Sequence, residues 1–432
     1  MRMKINKFFL LKKEVMLVEG RKGGLLQDLG KKKIYSIDFE AKKLLSMLLS
    51  GNTVEEATRY MDERTYKEFI DYLNLLVEKD LGFYSEVWIE RHEIQKVIEK
   101  NIDTVWLELR KACNLKCCHC YMDCTGGSDS DLDILSLEDW KKILDQIDEY
   151  KPKKVILIGG EPLLFKEIYN LIEYIKEKLQ YVQIILYSNL TMLNKELVVL
   201  LKKNHIKVVT SIYSNKPHIH DKITGHIGSF DNTVNAISIL RNEGIYVKAN
   251  AVIMKENYKE VEEIKKFIYE LTGVRGRIDI IRDVGKSKEH LIPKEMSKDT
   301  GRIRTEADFK GISSIEFLRN YSGNSCWQGK INITCDGYVS PCIMGENFID
   351  KNFNLKRNSL AAILNDYLIP KFWSLSRDKI EICKDCEYRY VCKDCRPMCI
   401  ENNNIHNRGK LCTYNPYNRQ WEIPDFNNKS HT

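Results

Sequence analysis

Cys113, Cys117 and Cys120 stand in the spacing C-x3-C-x2-C within RKACNLKCCHCYMDC, residues 110–124. Three thiolates on one loop can hold three irons of a [4Fe-4S] cube, while loop amides donate to its sulfides and help set its potential. The fourth iron then keeps no protein ligand, and an open metal position can chelate a substrate or cofactor. On spacing alone a structural zinc site is the alternative, using the same three cysteines with either His119 or Cys124. Cys118, inside the loop, reads as a small space-filling residue, because free cysteine packs as a modest apolar side chain.

A second group of cysteines follows at Cys326, Cys335 and Cys342, then Cys383, Cys386, Cys392, Cys395 and Cys399, and finally Cys412. Two zinc ribbons would use eight such ligands. None of the chain's 14 cysteines precedes Cys113. Framework disulfides would tie the whole chain together, whereas two local clusters are what metal ligands make. Between the clusters, the strand-like run KVILIGG ends in Gly159-Gly160-Glu161-Pro162. Glycines at a strand end let a ligand approach the backbone, and an exposed carboxylate accepts hydrogen bonds from an amine. Alone, the same four residues read as a tight turn.

The elements that must position these residues follow from periodicity. From Val105 to Ile281 the apolar runs VWLELR, KVILIGG, VQIILYS, KVVTSIYS, YVKANAVIM and RIDIIR alternate with helical patterns such as LEDWKKILDQIDEY, KEIYNLIEYIKEKL and FDNTVNAISILRNEG. Six strands alternating with helices predict a parallel sheet, doubly wound or curved into a barrel, with its chemistry at the strands' C-terminal ends. Residues 1–85 read as a small α+β unit. FFLLKKEVMLVEG and KKIYSID are its strands, FEAKKLLSMLL and YKEFIDYLNLLVEKD its helices, and Asn52, Thr53, Glu55 and Glu56 a capping pattern. Residues 86–104 read as a helical linker and 283–325 as a polar bridge. KINITCDGYVSPC predicts a β-hairpin turning at Asp336-Gly337. The cysteine-rich region that follows is poor in core residues and needs staples.

With 432 residues the chain has room for two or three domains. Its 68 basic and 61 acidic residues are interleaved for a net charge of +7. A phosphate-tracking surface concentrates its basic residues, so no nucleic-acid partner is expected, and a modest attraction to an acidic peptide is the most this charge suggests. The opening FFLL run is broken by Lys12, Lys13 and Glu14, too short for an export signal, and no apolar run approaches the roughly 18 residues a bilayer demands. A cytoplasmic protein with reduced thiols and no membrane partner is expected.

With both motifs in view, residues 105–282 resemble the radical S-adenosylmethionine (SAM) superfamily, which pairs C-x3-C-x-aromatic-C with GGE; His119 fills the aromatic slot here. The resemblance implies an α/β fold built on a partial (β/α)6 TIM-like barrel, and SAM chelating the unique iron through its amine and carboxylate. It also implies Gly159, Gly160, Glu161 and Pro162 near that amine, with Ser188 and Asn189 of LYSNLT, Ser211 and Asn250 as further SAM contacts. The reduced cluster would then cleave SAM to a 5′-deoxyadenosyl radical that abstracts a hydrogen atom from an unactivated carbon.

CWQGKINITCDGYVSPC and CKDCEYRYVCKDC, within residues 326–421, resemble the SPASM domain, which carries two auxiliary [4Fe-4S] clusters. That likeness implies Cys326, Cys342 and Cys395 for the first cluster, with Cys335 or Cys399 as its fourth ligand, and Cys383, Cys386, Cys392 and Cys412 for the second. Residues 1–85, through GKKKIYSIDFEAKKLLSMLLSGNTVEEA, resemble the winged-helix-like RiPP recognition element, RiPP meaning a ribosomally made and post-translationally modified peptide. In that family a leader peptide adds as a strand, here near Ile34 to Ile37, and packs on the last helix, here Tyr66 to Leu76. Together the resemblances imply a peptide maturase that makes a thioether or carbon–carbon cross-link, served by an electron donor such as flavodoxin or ferredoxin. Ile343 follows Cys342 where the related sulfatase maturases carry an aspartate base, which speaks against sulfatase maturation. A radical enzyme acting on another protein or a small metabolite, and a zinc-stabilised winged-helix regulator, are the competing readings.

Overall fold

The structure, a computed structural model, describes residues 5–91, 94–124, 133–282, 285–286, 289–293, 309–393, 395–399, 404–409 and 412–421. The chain forms two compact units, one of residues 1–98, 303–325 and 374–432, the other of residues 99–302 and 326–373. This division cuts through the region expected as one cysteine-rich domain.

The larger unit holds the six expected strands: β6 (Thr104–Glu108), β7 (Lys154–Ile158), β8 (Gln183–Tyr187), β9 (Lys207–Ser211), β10 (Val247–Ile253) and β11 (Ile278–Ile280). They are parallel and ordered 11-10-9-8-7-6. Helices α4 (Leu137–Asp148), α5 (Ile168–Lys178), α6 (Lys195–Lys203), α7 (Pro217–Thr224), α8 (Ser229–Asn242) and α9 (Val261–Thr272) connect them. The expected hairpin forms as β12 (Lys330–Ile333) and β13 (Val339–Ser340). β12 also pairs in parallel with β6, extending the sheet to eight strands without closing it. The architecture is thus α/β, a partial barrel with a mostly parallel sheet.

The two faces of this sheet differ. Val105, Leu107, Val155, Leu157, Ile184, Leu186, Val208 and Ala249 are buried on one face. By the two-residue period, Trp106, Glu108, Tyr187, Ser211, Asn250 and Asn332 share the other, where Trp106, Tyr187, Ser211 and Asn250 are half-buried. A face that mixes polar and half-buried residues at the strands' C-terminal ends is where a parallel sheet carries its chemistry.

In the smaller unit, β2 (Val15–Glu19), β3 (Gly24–Asp28) and β4 (Lys33–Ile37) form an antiparallel sheet in that order, and β1 (Phe8–Leu11) pairs with β5 (Gly82–Ser85). Helices α1 (Phe39–Leu49), α2 (Val54–Thr58) and α3 (Glu63–Glu78) complete its N-terminal part. Asp38 caps α1, and Thr53 with Glu56 closes a capping box on α2. β3 and β5 were not expected from the sequence. Among the described residues of the expected linker no helix forms; the Val97 N–H donates to Ser322 Oγ, a partner distant in the chain, in place of an i−4 carbonyl, and the Lys96 side chain pairs with Asp378. Of the bridge, residues 294–308 lie outside the described residues, and Ser314–Ser322 is a capped helix.

Candidate active site

The three-cysteine loop leaves β6 and is held in place by β7. Leu109 N–H donates to Ile158 O at 2.8 Å, Gly160 N–H to Arg110 O at 2.8 Å, and Glu161 N–H to Ala112 O at 2.9 Å. A Cβ on Gly159, at φ +153°, would lie 2.4 Å from Arg110 O, and one on Gly160 only 2.2 Å from Ala112 O. Both positions therefore admit glycine alone, because the chain's own backbone, rather than a ligand, approaches them.

Glu161 is a second departure from expectation. Its carboxylate is 1 % exposed instead of open to an amine. Oε1 accepts from Ser188 Oγ at 2.8 Å and Leu163 N–H at 3.1 Å, and Oε2 accepts from Asn189 N–H at 2.9 Å. Burial outweighs these donors and pushes the carboxyl up to about 7. Ser188 is likewise buried, bonded to Glu161 and to Leu190 N–H. Pro162 is buried at the start of a short 3-10 turn. These residues hold the strand ends together. Asn189 reaches outward: its Nδ2 donates to Asn114 Oδ1 at 2.8 Å and lies 4.0 Å from Cys113 Sγ.

The thiols of Cys113, Cys117 and Cys120 are brought near one another. Burial pushes Cys113 up to about 11 and Cys117 higher still, and each is raised further by its cysteine neighbours. Cys120 is held low, first by the hydrogen bond that Cys124 donates to it. Leu115 N–H donates to Cys113 Sγ at 3.4 Å. The far side of the loop is pinned to the end of α7 through Lys116 N–H to Thr224 O and Cys118 N–H to Ile223 O. Three clustered thiols with amide donors at one of them suit a cubane held at three corners. Among the described residues, no three histidine, cysteine or acidic side chains are placed to hold a single metal ion. Cys118 packs with Tyr213, Ile223 and Met254, as a filler should.

His119 stands edge-on to Tyr213 at 4.7 Å, with Nδ1 buried and without a hydrogen-bond partner among the described residues. Burial, then the neighbouring His220, lowers it to about 4, so it is a neutral aromatic surface at neutral pH. Ser211 and Asn250 are cross-strand neighbours on the mixed face; Ser211 bonds the Tyr213 hydroxyl and Asn250 Oδ1 accepts from Arg277 N–H at 2.9 Å.

Sequence reasoning passed over Asn114, Tyr213 and Glu108. Glu108 is buried at the end of β6, takes a 3.4 Å hydrogen bond from Asn332 Nδ2, and is pushed up to about 7 by burial. The signal available was one carboxylate inside an apolar strand. Cys342 on the hairpin and Cys120 and Cys124 on the loop all bear on the Tyr121 hydroxyl, so the hairpin lies beside the three-cysteine loop. Cys335 is buried and Cys326 exposed.

Residues 107–268 match the Radical SAM superfamily, and residues 326–387 match SPASM, an iron-sulfur cluster-binding domain. The protein is a radical SAM enzyme with a SPASM domain. Its cofactors are SAM and [4Fe-4S] clusters. It is 27% identical over 326 residues to the antilisterial bacteriocin subtilosin biosynthesis protein AlbA of Bacillus subtilis (strain 168), covering 71% of this chain and 70% of AlbA. It is 24% identical over 323 residues to the AdoMet-dependent heme synthase of Methanosarcina barkeri, covering 67% of this chain and 89% of the synthase. In fold it is similar to Streptococcus suis SuiB solved with its precursor peptide SuiA, at a TM-score of 0.58 and 18% identity, covering 94% of this chain and all of SuiB. Among the described residues no helix is long and apolar enough to cross a membrane.

Proposed function

We propose that this radical SAM enzyme installs a cross-link, thioether or carbon–carbon, in a ribosomally made precursor peptide. The observation that carries the reading is the reach of the SuiB likeness over 94% of the chain, which takes in the N-terminal sheet and helices. The relation to AlbA supports it.

A leader peptide would dock on the smaller unit. β4 is an edge strand of its sheet, approached at its start by Gly311, whose Cβ would lie 2.1 Å from the Lys32 carbonyl carbon. Ile34 to Ile37 thus offer main-chain groups for strand addition. Ile70 and Tyr72 of α3 and Tyr35 of β4 pack against the same core, and the buried Tyr72 hydroxyl has no partner among the described residues.

Cys113, Cys117 and Cys120 would hold the radical-generating cluster, and His119, Asn189, Ser211 and Asn250 would border SAM, while Gly159, Gly160, Glu161, Pro162 and Ser188 shape the cradle. When bound, SAM and the cluster supply a 5′-deoxyadenosyl radical that removes a hydrogen atom. Cross-linking also releases a proton and an electron; Glu108, on the mixed face of the sheet, is the chain's own group to receive the proton, and an auxiliary iron-sulfur cluster would take the electron. The ligands proposed for the first auxiliary cluster are Cys326, Cys342 and Cys395, with Cys335 as the fourth. The alternative fourth ligand, Cys399, turns its thiol to Cys395 O at 3.2 Å. Cys383, Cys386, Cys392 and Cys412 are proposed for the second cluster, and an electron donor such as flavodoxin or ferredoxin would feed the enzyme.

The test is anaerobic turnover with short leader-bearing peptides as candidate precursors, and with an iron porphyrin as the competing substrate. A peptide product lighter by two hydrogen atoms per link, lost when the leader is removed, is expected. Turnover of the porphyrin alone overturns the proposal in favour of a small-molecule substrate.

A further inference from the structure

Gln27 is a polar residue where the fold has no visible use for one. It lies on β3, the central strand of the N-terminal sheet, 1 % exposed, and neither its Nε2 nor its Oε1 has a hydrogen-bond partner among the described residues. Buried amides are paired almost without exception, so a group that both donates and accepts needs an occupant beside it.

The two faces of β3 indicate which occupant. Leu26 points into the core made with α1, α2 and α3. Leu25, and with it Gln27 by the two-residue period, points the other way. Leu25 belongs to a separate core of Val18, Phe309, Phe317, Tyr388, Tyr390, Val391 and Tyr414, against which Cys386, Cys392 and Cys412 pack. The cross-strand neighbours of Gln27 are Met16 and Ile34, and both pack in that same core. The end of β2 is fastened to the cysteine loop: Arg21 N–H donates to Asp385 O at 2.7 Å, and Arg389 donates to Glu19 O at 2.6 Å. A Cβ on Gly20 would lie 2.4 Å from Glu387 Oε2, so the strand end touches the residue next to Cys386.

We infer that Gln27 donates its side-chain amide to the iron-sulfur cluster held by Cys383, Cys386, Cys392 and Cys412, an inference that rests on that proposed ligand set. Cluster sulfides and thiolates accept N–H groups, and the amide can be turned either way to present its donor. Each such bond favours the reduced, more negative cluster and raises its potential. Gln27 is a positioning and tuning residue, and the N-terminal sheet is the outer wall of the second auxiliary cluster.

The experiment uses the full-length protein, reconstituted anaerobically, with Gln27→Leu, Gln27→Met and Cys386→Ala variants, each followed by iron counting, thermal unfolding and an EPR-monitored redox titration. Gln27→Leu is expected to keep its iron while one auxiliary cluster shifts toward the oxidised form by roughly tenfold in its equilibrium constant, about 59 mV for a one-electron couple. The signal that shifts should be the one Cys386→Ala removes. If the leucine variant takes up less iron, Gln27→Met, close in length, carries the measurement. Unchanged potentials, with or without a lower melting temperature, overturn the inference. If Cys386→Ala loses no iron, the ligand set itself is wrong, which is a separate failure.

Discussion

Gly160→Ala separates two uses of the same glycine. If the GGE motif makes room for the chain's own backbone, the damage must appear before any ligand binds. An added Cβ would sit 2.2 Å from Ala112 O, 2.6 Å from Ala112 C and 2.7 Å from Lys111 O. Unstrained carbon contacts begin near ~3.5 Å, so the loop must retreat by about 1 Å. That movement breaks Gly160 N–H to Arg110 O and Glu161 N–H to Ala112 O, bonds of 2.8 and 2.9 Å. Two hydrogen bonds at about 1 kcal/mol each, with ~1–3 kcal/mol of overpacking, make a local cost of about 3–5 kcal/mol. For a unit of this size that is a fall in melting temperature of roughly 10 °C. The assay is thermal unfolding of the iron-free protein, followed by iron counting after reconstitution. The variant is expected to melt early and to lose about four of about twelve irons, the share of the cluster on the displaced loop. An iron-free variant that melts like the parent, takes up all its iron and merely binds SAM more weakly would refute this reasoning and restore the ligand-access reading of the motif.

Other outcomes follow from the same structure. Burial raises the Glu161 carboxyl from 4.5 to about 7, so the native state binds its proton more tightly than the unfolded chain does. Stability should fall as pH rises between these values, by about 3 kcal/mol from this group, and stay flat above. Urea unfolding of the iron-free protein at pH 5 and pH 8 should lose that component in Glu161→Gln; an unaltered pH difference would show that Glu161 ionises freely. Cys118→Ala should keep its iron and cost about 1–2 kcal/mol, whereas Cys117→Ala should abolish SAM cleavage. Iron lost from Cys118→Ala would mark that residue as a ligand instead. Deleting residues 1–85 removes the sheet face that covers Phe309, Tyr388, Tyr390 and Tyr414, so the product should expose that core and lose about four irons. A truncated protein with full iron and full turnover would contradict this and favour a small-molecule substrate.

What the sequence disclosed, and what it withheld, divides along the range of the forces involved. The six strands of the parallel sheet were legible because each carries its own apolar run, and the hairpin at Asp336-Gly337 because its turn residues are local; Gly337 indeed adopts φ +92°. The three cysteines were legible as one group because they share one loop, but their spacing left zinc and an iron-sulfur cluster as alternatives until the strand-end GGE motif was read beside them. The use of Gly159, Gly160 and Glu161 was not, because which atoms meet a glycine depends on the pairing of β7 with β6, and the bonds of Glu161 depend on where β8 ends. β3 escaped notice for a related reason. GLLQD shows no alternation, because one face packs on α1, α2 and α3 and the other on aromatic residues between 309 and 414.

The cysteine-rich tail reads as a region lacking a core of its own, held by metal alone, but this omits a contribution made far away in the chain. Tyr388, Tyr390, Val391 and Tyr414 share one core with Val18 and Leu25, so the N-terminal sheet supplies the apolar wall that the tail does not encode. Met16 and Ile34 extend that wall on either side of Gln27. A wall of this kind keeps Cys386 and Cys392 half-buried, and burial pushes the Cys386 thiol far up, so a thiolate there is stable only where metal neutralises it. Metal loading and docking of the sheet should therefore be one cooperative event. A chelator that strips the second auxiliary cluster should raise hydrogen exchange in β2, β3 and β4 before it touches α1 and α3, whose core on the other side of the sheet holds no cysteine. Exchange that rises equally in the strands and the helices would mean the sheet stands on its helices alone.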